Sequence, residues 1–235
     1  MVRSVRLAPG AGAVFFASAP GDSSGSPGST APPTRRAEAQ RRLATILWAH
    51  LWGRENPPEP RARSSRDDPS GIQLVHDALG RPHLLAGEGH GSSISFSEGA
   101  GSLWAALCAE GAEVGIDVAG SDEFPGTYPF RRVFHDEELH HALRSAGGDL
   151  GRAAALLWSI KEAVVKALGC GFHGADPLHI TIAPGVGDDA GHAFPVDLSG
   201  KALRRLPRAA ERPLTVRAFP KGNTWLSLAL LLRQA

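Results

Sequence analysis

The chain has 235 residues, 42% of them hydrophobic, which is enough for a buried core and excludes wholesale disorder. A net charge of +1 leaves no global field to draw the protein onto nucleic acid or a membrane surface. Two cysteines, Cys108 and Cys170, without CxxC spacing, exclude a disulfide framework and a zinc knuckle and read as reduced thiols in a cytoplasmic setting.

Val2 to Leu7 and Val14 to Ala17 read as strands. Arg3 and Arg6 ahead of AGAVFFASA faintly resemble a secretory signal, but Pro9 and Gly10 interrupt an apolar segment that is already too short. Residues 19–34, rich in Pro, Gly and Ser, read as a surface loop. A helix is expected from about Arg35 to Trp52, with Leu43, Ile46, Leu47 and Leu51 as its buried stripe. Arg35, Arg36, Arg41 and Arg42, followed by Arg61, Arg63 and Arg66, form local basic patches. These suit a small phosphorylated ligand or a solvated helix face. Asn56-Pro57-Pro58 ends this segment. Short strands follow at Ile72 to His76, Pro82 to Leu85, Ser93 to Ser97, Leu103 to Ala109 and Val114 to Val118, with Asp77 to Gly80 as a hairpin connection.

In the second half, His135-Asp136-Glu137-Glu138 has the acidic start of a helix. A longer helix runs from about Asp149 to Leu168, and Gly169 stops it. Strands return at Leu178 to Ala183, Pro213 to Phe219 and Thr224 to Leu231. The apolar run Trp225 to Leu232 falls far short of the roughly 20 residues that span a bilayer. The expected class is α+β, in two pseudo-symmetric lobes, 1–112 and 113–235, each with a small antiparallel sheet and helices.

The stretch WSIKEAVVKALG, residues 158–169, breaks an apolar helix with three charges. Trp158, Glu162 and Lys166 fall at i, i+4 and i+8, on one helical face. A carboxylate and an ammonium one turn apart suit a metal-bound phosphate, the acid holding the cation and the ammonium offsetting phosphate charge. An ordinary exposed Glu–Lys pair is the plainer reading. VGIDV, residues 114–118, offers a second carboxylate, Asp117, on an apolar strand.

GID followed by WSIKEAVVKALG resembles the paired motifs of the 4'-phosphopantetheinyl transferases, in the two-lobed surfactin-synthetase-activating form. GRPHL at 80–84, SSISFSEGAGSLWAAL at 92–107 and FHDEEL at 134–139 resemble further elements of that family in the right order. The resemblance implies transfer of the phosphopantetheine of coenzyme A to a serine of an apo acyl or peptidyl carrier protein, with release of 3',5'-ADP. It implies Mg2+ held by Asp117 and Glu162, with Lys166 facing the pyrophosphate. Glu138 takes the place of the acid that holds metal-bound water or removes the serine proton. Arg81 matches the residue reaching the nucleotide, with Arg41 or Arg42 as a further candidate and Lys161 binding phosphate from the side. The family form also implies a cytoplasmic monomer serving polyketide or nonribosomal peptide biosynthesis.

Two positions depart from the family pattern. Ala119 stands where many relatives carry a second acid, leaving the metal to Asp117, Glu162, the coenzyme and water. Phe96 stands where a histidine is expected, which implies weaker coenzyme binding and an improvement in Phe96→His. These departures favour an alternative in which a transferase-like protein binds coenzyme A or a carrier without transfer. HDEELHH at 135–141 suggests a metal-dependent hydrolase, but His135 and His140 are five apart and cannot form an HExxH zinc pair. Gly87-Glu-Gly89 and Gly99-Ala-Gly101 lack the context of a phosphate loop and read as turns. Gly169 to Phe172 either caps the helix or shapes the mouth of a cleft.

Overall fold

The structure is a computed structural model, described here for residues 1–7, 12–21, 33–55, 71–86, 90–188, 191–205 and 214–232. Most of the 19–34 loop, the Asn56-Pro57-Pro58 stop, Arg61, Arg63, Arg66 and the turn at 87–89 lie outside those residues.

Strands β1 (Arg3–Arg6), β2 (Ala13–Pro20), β3 (Ile72–His76), β4 (Pro82–Ala86), β5 (His90–Gly99) and β6 (Ser102–Cys108) form one antiparallel sheet in the order β1-β2-β6-β5-β4-β3. The β3–β4 hairpin turns where expected. Asp77 Oδ1 accepts from the backbone N–H groups of Leu79 and Arg81, both at 2.9 Å, and Gly80 takes the left-handed conformation at φ 80°. Helix α1 (Pro33–Glu55) covers one face of this sheet. Leu43, Leu47 and Leu51 pack there against Phe15, Ile94, Leu103 and Leu107. Ile46 does not join them; it is exposed, and Ala44 and Trp48 complete the buried stripe instead.

Strands β7 (Ala112–Gly120), β8 (Ile180–Ile182), β9 (Val186–Asp188), β10 (Gly191–Phe194), β11 (Val196–Leu198), β12 (Leu214–Lys221) and β13 (Thr224–Leu232) follow. Five of them form a second sheet in the order β7-β13-β12-β10-β9, while β8 pairs with β11. Helix α2 (Asp136–Ser145) begins after His135, and α3 (Leu150–Leu168) is capped by Asp149, whose Oδ1 accepts from Arg152 N at 2.9 Å. Gly169, at φ 73°, ends α3. Short helices α4 (Gly171–Gly174) and α5 (Gly200–Arg205) complete the set. The chain is therefore α+β with antiparallel sheets.

The two sheets meet face to face. Val14, Phe16, Trp104 and Ala106 of the first share a core with Val114, Ile116, Leu226 and Leu228 of the second. The outer faces carry α1 and α3, so the order of layers is helix, sheet, sheet, helix. At one side the sheets are stitched by side chains. The hydroxyls of Ser93, Ser95 and Ser97 accept from the backbone N–H groups of Val114 (3.0 Å), Ile116 (3.2 Å) and Val118 (3.2 Å). Alternate residues of β5 thereby satisfy alternate donors along the β7 edge that β13 leaves unpaired.

Candidate functional site

The period of two along β7 decides what faces α3. Val114, Ile116 and Val118 enter the core between the sheets, so Gly115, Asp117 and Ala119 turn the other way. Gly115 has no room for a side chain, because a Cβ there would overlap the Ala163 carbonyl oxygen and crowd Ala167 N. Glycine thus lets α3 lie directly on the strand, which brings Asp117 beside the helix.

On α3, residues 153 to 168 are buried except Trp158, Glu162 and Lys166. That line is the stripe that the i, i+4, i+8 spacing singled out. Lys166 Nζ donates to Asp117 Oδ1 at 2.6 Å and to the Ile116 carbonyl at 3.2 Å. The Asp117 side chain is 9% exposed and the Lys166 side chain 28%, so the pair opens to solvent on the lysine side. Asp117 Oδ1 also accepts from Ser97 Oγ at 2.8 Å, tying the site to the serine stitch.

Glu162 is half-buried, with no side-chain hydrogen bond among the described residues. Burial pushes its carboxyl above the usual range; Lys166 opposes this, and the charge of Asp117 adds to it. Two carboxylates that repel each other, one lacking a donor, are a donor set that a divalent cation relieves. No group of three or more His, Cys, Asp or Glu among the described residues forms a metal cage. Two protein carboxylates with the remaining positions open fit Mg2+, which keeps several waters and takes phosphate oxygens.

Glu138 and Lys161 correct the sequence reading. Their side chains are 1% and 0% exposed, and they pair with each other at 2.9 Å. Lys161 Nζ also donates to the carbonyls of Val133 (3.0 Å) and Pro177 (2.9 Å), which uses all three of its protons. Glu138 accepts from His135 N (2.9 Å) and Ile182 N (2.8 Å). Neither group is placed to bind a coenzyme phosphate or to take a proton from a substrate hydroxyl. Lys161 follows a residue on the buried side of α3, and a single charge in a sequence does not reveal which way a helix has turned it.

Arg81 lies at the C-terminal end of α3. It ion-pairs with Glu113 and donates through Nη2 to Ser93 Oγ and to the Ala167 carbonyl, both at 3.3 Å, while its Nε has no hydrogen-bond partner among the described residues. A side chain at Gly169 would run into its guanidinium. Arg41 and Arg42 are exposed on α1, and nothing among the described residues joins them to Asp117 or Glu162. Phe96 packs toward the α1 side of the first sheet, opposite Ser95 and Ser97. Asp136 pairs with Arg131 at 3.6 Å on the surface.

Glu123 was missed by sequence reasoning. It sits in the turn after β7, where Oε1 accepts from Gly120 N at 2.7 Å. Burial raises its carboxyl, and the charge of Asp117 adds to that. It lies six residues beyond Asp117, outside any i, i+2 pattern, so only the fold brings them near each other. An aromatic group borders the same region: Trp158 and Phe172 at 5.1 Å, and Phe124 and Tyr128 at 4.9 Å between ring centroids.

These elements define an α+β protein with an acidic pair and a lysine gathered where a helix crosses a sheet edge. Residues 113–211 match the family model of the 4'-phosphopantetheinyl transferase superfamily. No curated protein matches the chain. Among solved structures it is similar to the ACPS–CoA complex of Chronobacterium ammoniagenes, with 22% identity, a TM-score of 0.43 and coverage of 54% of this chain and 100% of that one. It is also similar to the holo-acyl-carrier-protein synthase of Helicobacter pylori in complex with coenzyme A (17% identity, TM-score 0.39, 50% of this chain, 98% of that one). The holo-ACP-synthase of Plasmodium yoelii gives 16% identity and a TM-score of 0.40, over 54% of this chain and 100% of that one.

Proposed function

We propose that the protein is a two-lobed phosphopantetheinyl transferase, moving the phosphopantetheine of coenzyme A onto a serine of an apo acyl or peptidyl carrier protein. The observation that carries this reading is the placement of Asp117 on β7 beside Glu162 and Lys166 on the open stripe of α3, within the matched segment. The lobes are those of the two sheets, meeting between β6 and β7.

Asp117 and Glu162 would hold a Mg2+ ion, which when bound offsets the charge of the coenzyme pyrophosphate. Lys166 supplies a second positive charge at that pyrophosphate, its ammonium held in place by Asp117 and the Ile116 carbonyl. The serine oxygen forms a bond to the phosphorus next to pantetheine, the bond to the departing phosphate breaks, and 3',5'-ADP leaves. The serine proton passes to water in the open site, because Glu162 serves there as a ligand of the cation. Glu138 and Lys161 hold α2 and α3 together and so position Glu162. Arg81 borders the site, and the α1 arginines supply positive charge on the Phe96 side.

The test is incubation with coenzyme A, Mg2+ and a panel of apo carrier proteins, followed by intact mass. A gain of one phosphopantetheinyl group on a carrier supports transfer. Coenzyme binding with no mass gain on any carrier would support the binding-only alternative, which Ala119 favours by leaving β7 one carboxylate short.

A further inference from the structure

A cavity of about 320 Å³ opens on the opposite face of β7 and β13 from Asp117, near the ends of β1, β12 and β10. Its walls are aromatic: Phe16, Trp104 and Phe219 line it, with the Phe16 and Phe219 rings stacked at 6.0 Å between centroids. Its charged groups are unevenly matched. Arg3 and Lys221 both line it, and neither side chain has a hydrogen bond or ion pair among the described residues. Lys221 Nζ lies 4.2 Å from the centre of the Trp104 ring. The one acidic group of the lining, Asp188, is already engaged by Arg217 through two hydrogen bonds of 2.6 and 2.8 Å. Burial pushes the Lys221 ammonium below its usual range, and the charge of Arg3 adds to this, so the two cations stand close enough to repel.

We propose that this cavity is a binding site for a small planar aromatic carboxylate, its ring lying against the wall formed by Phe16, Trp104 and Phe219 and its carboxylate between Arg3 and Lys221. The volume lies at the lower end of small-molecule sites, which suits one or two fused rings and excludes coenzyme A. Flat rings offset-stack on aromatic walls, and an anion relieves the repulsion between two like charges. The site is separate from the proposed transferase centre, because the second sheet lies between them.

The probe is 2-naphthoate, titrated calorimetrically into the full chain, with neutral 2-naphthol as its uncharged counterpart. The expected result is saturable binding of the acid, with 2-naphthol weaker by about tenfold or more. Arg3→Gln and Lys221→Gln are surface changes and should each weaken the acid about tenfold while leaving thermal stability and transferase activity unchanged. In 15N spectra the Trp104 indole resonance, identified by its loss in Trp104→Phe, should shift on titration while those of Trp48, Trp52 and Trp158 stay fixed. Four results would overturn the proposal: no saturable binding, equal binding of acid and alcohol, unchanged affinity in both Gln variants, or displacement of the acid by coenzyme A.

Discussion

Gly115 lies beneath Ala163 so closely that any side chain on the strand residue would collide with the helix carbonyl. The catalytic proposal depends on that contact, because it sets the height of α3 above β7 and hence the reach of Lys166 to Asp117. Gly115→Ala must push the helix away or twist the strand. The expected cost in stability is about 1–3 kcal/mol, as for other overpacked cores. Activity should fall further than this predicts under conditions where the variant is fully folded. Urea melts and kcat measured on the same preparation separate the two effects.

Lys161 and Glu138 form a buried pair with every polar atom satisfied. Removing one member leaves an uncompensated charge, so Lys161→Met should cost about 3–5 kcal/mol. The double variant Glu138→Gln/Lys161→Met should recover much of that loss. If instead Lys161 contacted coenzyme phosphate, Lys161→Met would raise the KM for coenzyme A with little loss of stability. Chemical denaturation of the two variants distinguishes these outcomes.

The serine stitch makes a sharper prediction for Ser95 than its exposure alone would. Ser95→Ala removes the acceptor for Ile116 N in a buried position, costing about 1–3 kcal/mol. Ser95→Thr keeps the hydroxyl and should cost less. Amide exchange at Ile116 reads the lost bond directly, and faster exchange confined to β7 is expected.

Glu162 gives a pH dependence. Its carboxyl is raised in the folded chain, so it takes up a proton at higher pH than an ordinary glutamate as the solution is acidified. Cation binding should therefore weaken on acidification before ordinary carboxylates titrate. The stability sign is the reverse. A raised folded pKa stabilises the native state below the unfolded value, and this contribution is lost as pH rises through the folded value. At neutral pH Glu162→Gln should therefore not lower the melting temperature of the metal-free protein, although it abolishes transfer. Thermal melts at neutral pH and Mn2+ titrations across the acid range check both statements.

Much of the helical architecture was legible because long apolar stripes and their stops are local signals. Asp149 and Gly169 bound α3 as expected, and the i, i+4, i+8 line of Trp158, Glu162 and Lys166 is the part-exposed face. The short strands β9, β10 and β11 were not legible. Segments such as Val-Gly-Asp carry too few residues to show a period of two, and they are strands only because β12 and β8 lend them partners. In the site, Asp117 could be read from its motif, whereas the burial of Lys161 could not. That burial depends on α2 and on the Pro177 carbonyl, which the chain brings back from far along the sequence.

The most direct test of the central claim is a double-variant cycle on divalent-ion affinity. Mn2+ binding in the presence of coenzyme A is measured for the wild type, Asp117→Asn, Glu162→Gln and the pair together. If both carboxylates serve one ion, each single change should abolish most of the affinity and the double should lose little more. Additive losses, or wild-type affinity in either single variant, would contradict a shared ion.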